Sequence, residues 1–204
     1  LGPVILGTRE KVIYGSGYIE DVLCGKRFCI SSRSFYQINP VQTEKLYSAA
    51  ISLAGLTGNE TVLDAYCGIG TIGLSASDKA KQVIGVEINR DAVNDAIANA
   101  RLNGVKNCWF TVGDAGKYME QMAADKVKPD IVFMDPPRAG SDERFLSSLL
   151  KCAPKRIVYI SCNIDTQRRD LDVLLSGGYK LRRIQPVDMF PYTEHIECVV
   201  MLEK

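Results

Sequence analysis

Between Thr61 and Ser161 five short apolar runs alternate with helix-like segments, and this alternation restricts the fold more than any other feature. The runs are TVLDAY (61–66), QVIGVE (82–87), CWFTVG (108–113), DIVFMD (130–135) and RIVYIS (156–161). Strands that read as continuous apolar runs are those covered by helices on both faces of a parallel sheet. Helical segments open near Thr71, Asp91, Ala115 and Asp142, and a last one spans Asp165 to Leu175. Such βα alternation predicts an α/β fold with right-handed crossovers. Two further strands, near Lys180–Val187 and Ile196–Leu202, follow with no helix between them. They are predicted to pair antiparallel and complete a seven-stranded, mostly parallel sheet.

The first forty residues have a different period. From Lys11 to Ile30, VIYGSGYIEDVL and RFCIS read as β-branched and aromatic runs cut by glycine, which predicts a small antiparallel appendage. From Pro40, the positions of Val41, Leu46, Ala49, Ala50 and Leu53 fit a helix closed by Gly55 and Gly58. The boundary is expected between Ser34 and Asn39. At 204 residues and 46% hydrophobic the chain can bury one core plus this appendage. It opens without an initiator Met inside a β-rich segment, so it is expected to be a piece of a longer protein. No apolar stretch approaches the ~20 residues a membrane span needs, and LGPVILGTREK lacks the pattern of a secretory signal, so a cytoplasmic location is expected. Lys plus Arg is 25 against 24 for Asp plus Glu, too even a balance for a global nucleic-acid-binding field. Seven cysteines without a CxxC pair indicate neither a disulfide framework nor a metal site, and most are expected to be buried small hydrophobes. Nothing in the sequence calls for an obligate protein partner.

Ligands of open α/β sheets bind beyond the carboxyl ends of the strands. There the first run leads into Gly68-Ile69-Gly70-Thr71-Ile72-Gly73, which permits a tight turn and a close backbone approach at a helix N-terminus. The second run ends in Glu87, placed to accept from ribose hydroxyls. These features fit NAD and S-adenosyl-L-methionine alike. Carboxylates at Asp64 and Asp114 favour the latter, because they repel a pyrophosphate and attract an ammonium and a sulfonium.

The fourth run ends in Asp135-Pro136-Pro137-Arg138, with Arg138 where enzymes that methylate exocyclic amines usually carry an aromatic residue. The fifth ends in Ser161-Cys162-Asn163 before a helix with Asp165 or Thr166 as cap, a location that can lower a thiol pKa. In the last strand, alternation puts His195 and Glu197 on one face. A thiol and a carboxylate are together what methylation of a pyrimidine C5 requires. The thiolate adds to C6, making C5 nucleophilic, and a base later removes the C5 proton so that the thiol can leave. Cys162 and Glu197 fit the two roles.

Six segments in register, SFYQINPVQTEKLY (34–47), VLDAYCGIGT (62–71), VIGVEIN (83–89), DPPRAG (135–140), YISCN (159–163) and HIE (195–197), closely resemble the RNA uracil-5 methyltransferase family. That family modifies 23S ribosomal RNA and the T-loop of transfer RNA. The resemblance, over residues 31–204, implies a Rossmann-like S-adenosyl-L-methionine-dependent fold. It places Gln37, Tyr66, Thr71, Glu87, Asp114 and Asp135 at the cofactor, with Thr71 standing where relatives often have Asn. It makes Cys162 the nucleophile and Glu197 the base, and it sets Phe35 and Asn39 in the same motif as Gln37, toward the substrate. Asp135 and Arg138 are expected to hold the uracil edge. Residues 1–33 are expected to end a truncated central β-rich domain and residues 34–204 to form the catalytic domain. The expected partner is a loop of rRNA or tRNA, 23S rRNA foremost, steered by Lys151, Lys155, Arg156, Arg168, Arg169, Lys180, Arg182 and Arg183. Cys24 and Cys29 are assigned to no cluster. An RNA cytosine-5 methyltransferase, a noncatalytic RNA- or cofactor-binding module and an NAD oxidoreductase are the rival readings.

Overall fold

A computed structural model of the chain describes residues 11–32, 34–37, 39–193 and 196–204. The elements run β1 (Tyr18–Leu23), β2 (Lys26–Ser31), α1 (Pro40–Ala54), β3 (Thr61–Ala65), α2 (Thr71–Ala76), β4 (Gln82–Glu87), α3 (Arg90–Leu102), β5 (Cys108–Val112), α4 (Ala115–Ala124), β6 (Ile131–Met134), α5 (Glu143–Cys152), β7 (Arg156–Ser161), α6 (Ile164–Ser176), β8 (Lys180–Asp188) and β9 (Ile196–Glu203). The seven-stranded sheet has the order β5-β4-β3-β6-β7-β9-β8. The first five strands in this order are parallel, and β9 is antiparallel to both β7 and β8.

Strand alternation sorts consecutive residues into two apolar layers, which explains why the strands read as unbroken apolar runs. Val62, Ile131, Val158, Ile160 and Val199 pack on one face with α1 and α2, through Leu46, Ala50, Ile72 and Leu74. Their neighbours Leu63, Val132, Ile157, Tyr159 and Val200 pack on the other, with Met119, Phe145, Leu149 and Leu174 of α4, α5 and α6. The chain departs from β3 to β4 on one side and to β6 on the other, so a crevice opens beyond the carboxyl end of β3.

Among the described residues the N-terminal appendage is shorter than expected: Tyr18–Leu23 pairs with Lys26–Ser31, while Val12–Gly17 forms no strand. Its Leu23, Phe28 and Ile30 belong to the same apolar layer as α1. The outer edge of β2 meets two asparagines one helical turn apart. Asn99 bonds Cys29 N and O, and Asn103 bonds Arg27 N and O, so amide side chains satisfy backbone groups that a further strand would otherwise pair.

Six of the basic residues expected to steer RNA do not surround the crevice. Arg156 and Lys180 lie at the amino ends of β7 and β8, and both stand opposite Glu203. Arg156 and Arg182 form ion pairs with Glu203. Lys151 ends α5 and Lys155 precedes β7, which puts them at that same end, and Arg183 pairs with Met201 further along the exposed edge strand. A six-residue strand, about 17–20 Å, separates this end from the crevice. Arg168 and Arg169 lie in α6, and Arg169 reaches Ala139 O, next to Arg138 of the crevice. Among the described residues no helix is long and apolar enough to cross a membrane.

Candidate active site

The loop between β3 and α2 is shaped by backbone that most residues avoid. Tyr66 has φ 63° and Gly70, the α2 cap, φ 81°. A Cβ at Gly70 would lie 2.9 Å from the Phe110 ring, so both conformation and space demand glycine. Glu87 Oε2 accepts from Gly68 N at 3.1 Å and Oε1 from Asn89 N at 2.8 Å, which fixes its carboxylate at the crevice wall. Tyr66 packs on Phe145 with ring centroids 5.3 Å apart, and its hydroxyl bonds Ser141 Oγ at 3.2 Å. The cleft so formed measures about 870 Å³, in the upper part of the ~300–1,000 Å³ range of small-molecule sites.

Asp64, expected to face a cationic ligand, does not line this cleft. It points behind the loop, where Oδ2 accepts from Gly73 N at 2.8 Å and Oδ1 has no partner. Burial pushes its pKa up to about 7 from 3.8, the Gly73 bond opposes this and the Glu87 charge adds to it. The folded protein therefore holds a proton that the unfolded chain releases above about pH 4. The stability from this group is full below that pH and is lost as pH rises through about 7. Asp64→Asn is expected to remove the decline, so that unfolding free energies of variant and wild type, measured by urea titration, diverge by up to about 4 kcal/mol between pH 4 and 8. An unchanged difference across that range would contradict the assignment.

The other wall comes from β6, β7 and β9. Asp135, Arg138, Cys162 and Glu197 all line the cleft, with Gln37 beside them. Gln37 Nε2 donates to Glu197 Oε1 at 3.5 Å. Burial raises the Glu197 pKa, while Gln37 and the Arg138 guanidinium pull it back down. Asp135 is held well above the usual carboxylate range by burial and then by the charges of Glu197 and Asp64. Two cysteines reach the cleft. Cys67 is buried and its thiol is pushed well up by that burial and by Asp64 and Glu87, whereas Cys162 is half-exposed at the carboxyl end of β7. The cap of α6 is Asn163, whose Oδ1 accepts from Asp165 N and Thr166 N, not Asp165 or Thr166 themselves. Only Cys67, Cys152 and Cys198 are buried; the other four cysteines are partly exposed.

Of the remaining residues singled out from the sequence, Phe35, Thr71 and Asp114 also line the cleft. Asp114 caps α4 through Lys117 N at 2.9 Å. Asn39 is not in the lining. It caps α1 by accepting from Gln42 N and donates to Met189 O at 2.8 Å, which ties the helix start to the segment after β8. His195 lies outside the described residues. Tyr47 was missed: it is buried, lines the cleft, and its hydroxyl is held strongly protonated by burial among Asp135, Glu197 and Asp64. A tyrosine beside the apolar stripe of α1 reads as core, and only the fold brings it to the carboxylates.

The model of the family described as tRNA (uracil-5-)-methyltransferase matches residues 4–204. The chain belongs to this family. Among its relatives, proteins described as uncharacterized RNA methyltransferases in Halalkalibacterium halodurans and Listeria innocua are 54% and 52% identical over 98% of this chain. The chain spans 44% of the length of each, so it corresponds to under half of those proteins. The Pyrococcus abyssi tRNA (uracil-54, C5)-methyltransferase, solved with S-adenosyl-L-homocysteine, superposes with a TM-score of 0.79 at 33% identity, covering 93% of this chain and 45% of that one. The M. jannaschii tRNA m1G37 methyltransferase, at 14% identity and TM-score 0.69 over 93% of this chain and 57% of that one, shares the fold. The uracil-5 methyltransferase family membership and the Rossmann-like sheet thus agree with the expectation from the sequence.

Proposed function

We propose that the protein containing this chain methylates uracil C5 in RNA, using S-adenosyl-L-methionine, through a transient bond between Cys162 and C6. The observation that carries the reading is the convergence of Cys162, Glu197, Asp135 and Arg138 on one cleft whose opposite wall presents Glu87 and the Gly68–Gly70 loop. The residues present suit the cofactor. Glu87 is fixed by two backbone N–H groups and keeps lone pairs for ribose hydroxyls. Tyr66, Thr71 and Asp114 supply a flat ring and polar groups around it, with Gln37 and Asp135 toward the reacting end. When bound, S-adenosyl-L-methionine supplies an electrophilic methyl group.

The chain's own residues do the rest. The Cys162 sulfur bonds to C6 of a flipped uracil, which puts enolate electrons on C5 and O4. Burial and the Glu197 and Asp64 charges favour the protonated form of Asp135, which has an O–H for O4 and a carbonyl oxygen for the N3–H, and the Arg138 guanidinium stabilises the charge that develops on O4. Once enolate C5 has taken the methyl group and so carries both methyl and hydrogen, Glu197 removes the C5 proton, whose bonding electrons restore the C5–C6 double bond as sulfur leaves. Phe35, almost fully exposed at the mouth, offers a ring on which an extruded base can stack.

The target is a loop uridine, since an unpaired base costs least to extrude. We propose 23S rRNA as the first RNA to test, with tRNA as the comparison that the Pyrococcus relative demands, and the cytoplasm as the place of action. Residues 34–204 are proposed as the catalytic domain, preceded by the end of a β-rich domain whose hairpin shares its apolar layer. The deciding experiment incubates the full-length protein with S-adenosyl-L-methionine and 5-fluorouridine-substituted RNA. Fluorine does not leave as a proton, so an adduct accumulates, and peptide mapping is expected to find it on Cys162; an adduct on Cys67 or another cysteine overturns the reading. Arg138→Ala is expected to lower kcat about 10- to 100-fold while S-adenosyl-L-homocysteine affinity, read by calorimetry, changes little.

A further inference from the structure

The inner face of the first two turns of α6 is polar where a packed helix is normally apolar, and only beyond them do Leu171 and Leu174 enter the apolar layer. Asn163, Thr166, Gln167 and Asp170 recur at the three- and four-residue spacing of one helical face, and Gln167 and Asp170 are fully buried. Together they bond Arg138 of the cleft lining and residues that stand directly behind it. Asn163 Nδ2 and Thr166 Oγ1 donate to Arg138 O at 3.3 and 3.1 Å. Gln167 Nε2 donates to Tyr159 O and to Cys198 O, the neighbour of Glu197. Asp170 Oδ2 accepts from Ser141 N and from the Tyr159 hydroxyl, both at 2.8 Å. Asp170 Oδ1 accepts from Arg169 Nε and Nη2, and the same Nη2 donates to Ala139 O and Ser141 O at 3.1 Å.

The backbone of Arg138, Ala139 and Ser141 is thus held by side chains of α6, the helix that begins two residues after Cys162. The approach is close enough to exclude any side chain at Gly140. A Cβ there would lie 2.6 Å from Arg169 Nη2 and 2.8 Å from Asp170 Oδ2, and φ is 78°.

We propose that Arg169 and Asp170 are positioning residues, which lock the segment carrying Arg138 to the helix that follows Cys162 so that Arg138 and Cys162 face one base at a fixed spacing. This rests on the function proposed above and deepens it. Neither residue of the pair lines the cleft. Its effect is geometric: the four bonds of buried Asp170 reach Tyr159, Ser141 and Arg169, and the guanidinium fork of Nε and Nη2 closes on Oδ1 while the same Nη2 reaches the Ala139 and Ser141 carbonyls. A displacement of about 1 Å at a reacting group costs on the order of 100-fold in rate.

Arg169→Lys in the full-length protein separates charge from shape, because an ammonium still neutralises Asp170 but does not reproduce the fork. The expected result is a kcat at least about 10-fold below wild type, with Tm, the KM for RNA and S-adenosyl-L-homocysteine affinity close to wild type, and slower adduct formation on 5-fluorouridine RNA by the same factor. A folded Arg169→Lys protein with wild-type kcat overturns the proposal. So does a loss of cofactor affinity and Tm that parallels the loss of kcat, which marks a merely structural role. Should that variant not fold, Thr166→Val, which deletes one bond to Arg138 O at near-constant shape, carries the test: lowered kcat with intact affinity supports the proposal and unchanged kcat overturns it. Cys162→Ala is run alongside. If it still forms the adduct, the function proposed above fails; if it does not and the α6 variants are indifferent, only the positioning role fails.

Discussion

Cys162→Ala in the full-length protein is expected to abolish RNA methylation, with the rate falling at least about 1,000-fold while S-adenosyl-L-homocysteine affinity stays within about twofold. The size of the effect follows from the chemistry. C5 of uracil is not nucleophilic enough to take a methyl group until sulfur has added to C6, so removing the sulfur removes the route itself. The selectivity follows from where the side chain sits. Cys162 projects from the carboxyl end of β7, whereas Glu87 and the glycine loop lie on the other wall, beyond β3 and β4. The companion variant Cys67→Ala is expected to leave turnover within a fewfold of wild type, because burial and the Asp64 and Glu87 charges push the pKa of that thiol well up and disfavour the nucleophilic thiolate. Methyl incorporation into loop RNA measures both. Retained turnover in Cys162→Ala, or equal loss in Cys67→Ala, contradicts the assignment of the nucleophile.

The sheet was legible because two physical signals coincide in it. Doubly covered strands have to be apolar at consecutive positions, and Val62 with Leu63 and Tyr159 with Ile160 obey this by feeding opposite apolar layers. The strand ends were legible for a related reason: glycine at position 70 and the acid at 87 are demanded by local backbone. What stayed hidden depends on direction. Asp64 lies two residues before Tyr66, yet its carboxyl turns to Gly73 and away from the cleft. Asn39, set in a motif full of cleft residues, caps a helix. The basic residues of β8 and of the segment before β7 have the composition of an RNA surface but stand at the amino ends of the strands, a fact that no local pattern encodes. The polar face of α6 was invisible for the same reason, since a side chain at i, i+3 or i+4 announces a face without saying what it meets.

Glu197→Gln is the second large effect, and it differs in kind from the first. Addition of sulfur and methylation of C5 need no base at this position, so the variant is expected to stall afterwards, with the protein covalently bound to methylated RNA. Turnover is expected to fall about 100- to 10,000-fold, the range for a general base, while a denaturation-resistant protein–RNA band appears with ordinary uridine RNA. The pH dependence gives a second readout. Glu197 works ionised; burial raises its pKa, and Gln37 and Arg138 oppose that rise. Activity is therefore lost as pH falls through this raised value, and Arg138→Ala, which removes one of the two opposing groups, is expected to move the acid limb of kcat to higher pH. Gln37→Leu is expected to move it the same way, because the amide donates to Oε1 in the charged form. Rapid turnover by Glu197→Gln without a trapped adduct, or an acid limb indifferent to Arg138 and Gln37, would transfer the base role to another group.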